Sequence, residues 1–79
     1  MPEQIKLVPH TAGLHTTVKA IEAGKAKQVF IAEDCDVFVS RRIRELCAQC
    51  GIAYSYVPTM KELGESCGLE VKTACAALI

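Results

Sequence analysis

The sequence predicts an α/β fold, and three observations predict it. Segments with helical spacing of apolar residues alternate along the chain with short β-rich runs, the order expected when helices pack on a sheet. One of those runs, Gln28-Val29-Phe30-Ile31-Ala32, is almost continuously apolar, as a strand covered on both faces must be. Glycine, proline and acidic residues punctuate the boundaries between the segments.

The totals set the scale. With 79 residues, a single domain spanning 1–79 is expected. Such a chain buries roughly 60–65% of its surface on folding. The composition is 51% hydrophobic with no tryptophan, so the core is aliphatic: Val, Ile, Leu, Ala and Cys. Nine Lys/Arg balance nine Asp/Glu, which excludes nucleic-acid binding driven by overall charge but not recognition of shape by a local patch. Residues 1–15 hold no uninterrupted apolar stretch of the signal-peptide kind. No apolar run approaches the ~18–20 residues that span a membrane. A soluble, cytoplasmic chain is expected. The five cysteines, an odd count without a secretory signal, are expected as free thiols.

In order, Pro2-Glu3-Gln4 opens a short helix that Pro9 stops. His10-Thr11-Ala12 reads as a minor strand leading into Gly13. From Gly13 to Gly24 runs a short amphipathic helix, with Gly24 in the usual position just past its end. Leu14, Val18 and Ile21 share its apolar face, while His15, Thr16 and Lys19 cluster on the opposite one. Lys25-Ala26-Lys27 is a basic link to the strand Gln28–Ala32, after which Glu33-Asp34 marks a turn.

Asp36 is the expected N-cap of a second helix running to Gly51. Val39, Ile43, Leu46, Cys47 and Cys50 form its expected core face, with Arg41 and Arg44 pointing away and Arg42 on the flank. Ile52–Val57 reads as a strand ended by Pro58. Thr59-Met60-Lys61-Glu62 is a capping box for a helix through Leu63 to Cys67, stopped by Gly68. Gly64 within that helix costs about 1 kcal/mol relative to alanine, so packing must hold it. The Ala-rich run Thr73–Ile79 looks helical by propensity. It is assigned as a strand because the alternating order needs a last partner in the sheet.

Little in the chain argues for catalysis. Cys47-x-x-Cys50 lacks the second pair of ligands a zinc site takes, and His10 and His15 lie upstream without the spacing. It also sits near a helix C-terminus, where the dipole disfavours a thiolate. Small core residues are the simpler reading. Glu33, Asp34 and Asp36 have no histidine or phosphate loop beside them and suit capping. No nucleophile elbow, phosphate loop or dinucleotide motif occurs, so neither an enzyme, a cofactor nor a metal is expected.

The start of the Gly13 helix is different. Unpaired backbone N–H groups there carry partial positive charge, and Lys19 one turn in adds to it, so the site suits an anionic or acceptor-rich ligand. Gly13, Lys19-Ala20-Ile21-Glu22 and Gly24, then Ile31-Ala32-Glu33-Asp34, then Val57-Pro58, Leu63-Gly64 and Gly68-Leu69-Glu70-Val71 together resemble the kink-turn-binding ribosomal protein family. The archaeal large-subunit protein "L seven Ae" and small bacterial relatives belong to that family. The resemblance covers about Thr11 to Ile79.

It implies a three-layer α-β-α sandwich around a four-stranded mixed sheet, with the last segment a strand. It implies a non-catalytic protein, expected as a monomer, that grips sharply bent RNA flanked by sheared G·A pairs, in ribosomal RNA, a riboswitch or on the ribosome. The family pattern after the glycine is small-Asn-Glu-x-x-Lys. Gly13 and Lys19 match, whereas His15 and Thr16 stand at the Asn and Glu positions. The implied RNA-binding residues are Gly13, Leu14, His15, Thr16 and Lys19, with Leu69, Glu70 and Val71 packing on an extruded base. Arg41 and Arg42 are weaker candidates for phosphate. A protein-interaction domain on the same fold is the alternative.

Overall fold

A computed structural model describes residues 10–79 of the chain, and the helix expected after Pro2 lies outside the described residues. The elements are β1 (His10–Ala12), α1 (Leu14–Glu22), β2 (Gln28–Ala32), α2 (Val37–Cys50), β3 (Tyr54–Val57), α3 (Met60–Ser66) and β4 (Cys75–Leu78). The strands form one sheet in the order β1-β4-β2-β3. β2 and β3 run parallel, and β4 runs antiparallel to both β1 and β2, so the sheet is mixed. Consequently β1, β2 and β3 all point one way, and α1, α2 and α3 all start at the same rim of the sheet.

Alternation along the central strands divides the core in two. Val29, Ile31, Cys75 and Ala77 pack with Val18, Ile21, Ile43 and Cys47, beneath α1 and α2. Phe30, Ala32 and Ala76 pack with Val57, Leu63 and Cys67, beneath α3. These are the three layers expected. Fully burying side chains such as Ile21, Ile31, Ile43 and Leu63 stabilises the fold by roughly 1.5–3 kcal/mol each. The Ala-rich segment is indeed a strand, and a central one. Its small side chains let helices approach from both faces, and the two ladders it completes outweigh its helical propensity.

The expected caps form, with one change of partner. Asp36 Oδ1 accepts from Phe38 N at 2.8 Å at the start of α2, and Gly51 closes that helix at φ 67°. Thr59 Oγ1 accepts from Glu62 N at 3.0 Å at the start of α3. The second side-chain acceptor there is Asp34, whose Oδ1 takes the Met60 N–H at 2.7 Å. Two of the three clustered carboxylates are therefore helix caps.

Three expectations need correction. Cys50 is exposed rather than part of the core face of α2. The buried centre of that helix lies between Ile43 and Cys47, with Ser40 and Arg44 half-buried beside them, which turns Val39 and Cys50 towards one flank. For the same reason Arg44 does not point away: its Nε is buried, without a partner among the described residues. β3 starts at Tyr54, two residues later than expected, with Ile52 packed against the core ahead of it.

Gly64 has a purpose that propensity conceals. A Cβ at this position would collide with the Val71 carbonyl, which folds back over α3, and Leu69 N donates to Gly64 O at 2.9 Å. The glycine lets the segment after α3 lie directly on the helix. Gly64→Ala should therefore destabilise the protein by about 1–3 kcal/mol, despite removing a poor helix former. Urea denaturation checks this, and a stabilised variant would show that the segment does not lie there.

All five cysteines are free thiols, and Cys47, Cys67 and Cys75 are buried. Burial pushes the Cys75 thiol up to about 11, with a hydrogen bond to Thr17 opposing the shift. Burial also raises Cys47 and Cys67. A thiol whose pKa is higher folded than unfolded stabilises the fold fully below the unfolded value, and that stability is lost as pH rises towards the folded value. For Cys75 the window runs from 9.0 to about 11. Stability should fall there by up to about 1.4 kcal/mol per pH unit per thiol. Denaturant titrations at stepped pH check this, and Cys75→Ala should flatten the slope.

Candidate nucleic-acid interface

The start of α1 is built from a glycine and three exposed side chains. Gly13 is the N-cap, at φ 95° and ψ 160°, a conformation that side-chain-bearing residues rarely adopt. No atom lies within 4 Å of where its Cβ would be, so backbone conformation, not crowding, requires the glycine. Its N–H donates to Cys75 O at 2.9 Å, which fixes the start of α1 on the central strand. As a glycine it has no side chain with which to cap the helix, and the first turn contains no acidic residue. The N–H groups of Leu14, His15 and Thr16 thus face outward at a helix start whose first intrahelical bond is Thr17 N to Gly13 O at 3.1 Å. By contrast, α2 and α3 have capping carboxylate or hydroxyl oxygens at the same position.

His15, Thr16 and Lys19 are exposed and Val18 and Ile21 buried, as the helical spacing predicts, and Thr17 and Ala20 are buried with them. Leu14 is half-buried and packs against the core, so its outward contribution is its backbone. The Thr16 hydroxyl is not free to rotate. It donates to Ala12 O at 2.7 Å and approaches Gly13 O at 3.4 Å, which leaves its lone pairs as acceptors. Behind it, Thr11 Oγ1 and Thr17 Oγ1 share a hydrogen bond of 3.0 Å that ties β1 to the buried side of α1.

Leu69, Glu70 and Val71 are exposed, with Val71 at 66%. With Lys61, Glu65 and Lys72 they line a groove of about 480 Å³ along the outer side of α3. Val71 lies four residues before Cys75, the residue bonded to Gly13, so about 14 Å of chain at most separates the loop from that bond. The loop and the start of α1 therefore lie on the same rim. Arg41 and Arg42 are exposed on the second turn of α2, and no hydrogen bond or ion pair joins either to the Gly13 or Leu69 residues.

Two exposed apolar residues on this rim were not singled out by the sequence. Val37 and Phe38, 60% and 71% exposed, open α2 on this rim. The available signal was the position of Phe38, an aromatic two residues after the Asp36 cap and outside the apolar spacing that begins at Val39. Among the described residues no cluster of three or more His, Cys, Asp or Glu side chains is placed to hold a metal ion. None of the described helices is long and apolar enough to cross a membrane.

Comparison with known proteins agrees with this architecture. A curated RNA-binding protein of Caldanaerobacter subterraneus subsp. tengcongensis is 45% identical over 65 residues, covering 82% of this chain and 79% of the relative. The structure of the Giardia lamblia 15.5kD RNA binding protein superposes with a TM-score of 0.85 at 26% identity, covering 96% of this chain and 70% of the other. A Bacillus halodurans protein of unknown function shares the fold, with a TM-score of 0.87 at 18% identity over 96% of this chain and 80% of its own. Residues 6–79 match the family described as Ribosomal protein L7Ae/L30e/S12e/Gadd45, and the chain belongs to that family.

Proposed function

We propose that this chain is a non-catalytic RNA-binding protein that recognises kink-turn-like bent RNA through the start of α1 and the Leu69–Val71 loop. The observation that carries this reading is the uncapped helix start, where Gly13, His15, Thr16 and Lys19 meet on one exposed surface. The names of its relatives support RNA as the ligand class. In this reading Gly13 lets the RNA backbone come close, and the N–H groups of the first turn meet acceptors on base edges or phosphate. Thr16 accepts from a base N–H, because its own hydrogen is held by Ala12 O. His15 adds a ring nitrogen, and Lys19 neutralises a phosphate. Leu69 and Val71 present apolar surface to an unstacked base, with Glu70 between them. Splayed, bent RNA offers shape and unpaired bases, which suits a chain with no net charge.

A gel-shift titration tests this directly. The protein should bind a kink-turn duplex about tenfold or more tightly than a straight duplex of the same length, a difference of about 1.4 kcal/mol. Equal affinities at physiological salt would overturn the reading and favour a protein partner for this surface.

Changing His15→Asn together with Thr16→Glu tests the placement of the two side chains. Each well-placed bidentate contact to a base gives about 1–3 kcal/mol of discrimination. A carboxylate at the third position of a helix with no acid in its first turn is also favourable to the helix. The double variant should bind the intact kink-turn more tightly and reject duplexes lacking the G·A pairs more sharply. Weaker binding to the intact RNA would show that residues 15 and 16 do not face it.

A further inference from the structure

The strand order leaves the sheet with two edges, β1 on one side and β3 on the other. An edge strand presents backbone groups to any chain that can pair with them, and natural edges are blunted by brevity, proline or charge. β1 is blunted: it has three residues, and Pro9 precedes it in the sequence. β3 is not, because Tyr54-Ser55-Tyr56-Val57 carries neither a charge nor a proline.

The ladder shows which groups β3 offers. Val29 N donates to Ala53 O at 3.1 Å and Glu33 N to Val57 O at 2.7 Å, so residues 53, 55 and 57 turn their polar groups towards β2. Tyr54 and Tyr56, which alternate with them, therefore turn N–H and C=O outward, away from β2. Their rings lie on the face of the sheet that Val29 and Ile31, their partners in register, also occupy. They are 40% and 44% exposed and meet edge to face, with 5.9 Å between ring centroids.

The spacing makes this edge complementary to itself. Antiparallel pairing of two copies of β3, with Tyr54 opposite Tyr56 and Tyr56 opposite Tyr54, is two-fold symmetric about Ser55. Each opposed pair of tyrosines then exchanges both N–H and C=O bonds. Residues directly opposite share a face, so the rings of both copies form one cluster. Residues 52–58 hold no charged side chain, so the symmetric register opposes no like charges. A charged peptide would find no counter-charge along this strand, whereas a second β3 matches every outward group.

We infer that β3 is a homodimer interface, pairing antiparallel with β3 of a second copy and joining two four-stranded sheets into one. A four-residue edge covers far less than the roughly 1,000 Å² that stable interfaces clear, so the dimer is weak and reversible. It departs from the monomer expected from the sequence. The two-fold reverses strand direction, so the rims at which α1 begins lie at opposite ends of the pair.

Sedimentation velocity of the full chain from about 10 μM to about 1 mM tests this. The average mass should climb towards that of two chains and fall back on dilution. Tyr56→Lys, which puts a charge into the ring cluster, should keep the chain monomeric throughout, whereas Tyr56→Phe should dimerise like the wild type. Ser55→Cys reads the register. At the two-fold, opposed residues that share no hydrogen bond have Cα atoms about 4.5 Å apart, within the roughly 4.4–6.8 Å that a disulfide bridges. Mild oxidation with glutathione disulfide should join two copies of Ser55→Cys through the substituted position, identified by peptide mass mapping. Ala53→Cys, placed off the two-fold, should be joined far less. A wild type that stays monomeric at about 1 mM overturns the inference and leaves the edge to an extended segment of another protein. Dimerisation that survives Tyr56→Lys overturns it too, as does a cross-link that favours Ala53→Cys over Ser55→Cys.

Discussion

Three consecutive residues before and at the start of β4 hold together the rim at which all three helices begin. Thr73 N donates to Met60 O at 3.1 Å, Ala32 N donates to Ala74 O at 2.9 Å, and Gly13 N donates to Cys75 O at 2.9 Å. One short stretch of backbone thus contacts the start of α3, the end of β2 that leads to α2, and the start of α1. Thr73 and Cys75 are buried, so these bonds are shielded from competition with water and their loss would leave unpaired polar groups. The Leu69–Val71 loop runs directly into this clamp. Its position relative to Gly13 is therefore a property of the sheet.

Most of the architecture was legible in the sequence because the core is two-sided. A strand such as Gln28–Ala32 can be apolar throughout only if both faces are covered, and the helices show a single apolar stripe because each has only one covered face. The caps were legible too, since Asp36 and Thr59 are short acceptors at helix starts. What spacing does not show is which part of a stripe sits deepest. In α2 the buried centre is displaced towards Arg44, and the packing of α1 and the sheet decides that displacement. The same limit hid Gly64. Its cost to the helix is local and visible, whereas its benefit, room for the Val71 carbonyl, is made by a segment seven residues away. At the rim, the shared exposure of His15, Thr16 and Lys19 was legible from helical spacing. The engagement of the Thr16 hydroxyl with Ala12 O was not, because it depends on the angle at which β1 turns into α1.

Charge in this molecule is organised by position rather than by total. Nine basic and nine acidic residues cancel, yet the acids are disposed where they have structural work: Asp34 and Asp36 cap helices, and Glu65 and Glu70 sit beside lysines. On the outer side of α1, Lys19 and Lys25 line one groove with no acidic side chain among its lining residues. Over a Debye length of about 8 Å at physiological salt, a ligand at that groove experiences the local pair of lysines far more than the distant acids.

This separation extends to stability. Along α1 the residues that meet the core are Thr17, Val18, Ala20 and Ile21, and those that meet solvent are His15, Thr16 and Lys19. A change at an exposed position of this kind usually alters stability by less than about 0.5 kcal/mol, whereas a truncation among the buried ones costs several times more. The helix start is held by the Gly13 backbone and its bond to Cys75, neither of which involves the side chains of His15 or Lys19, whereas the Thr16 hydroxyl adds a bond to Ala12 O. Substituting His15 or Lys19 changes which donors and acceptors the rim presents while leaving its geometry in place, whereas substituting Thr16 also removes its bond to Ala12 O. Histidine at position 15 is therefore a matter of which groups the surface presents, whereas threonine at position 16 is also part of the frame.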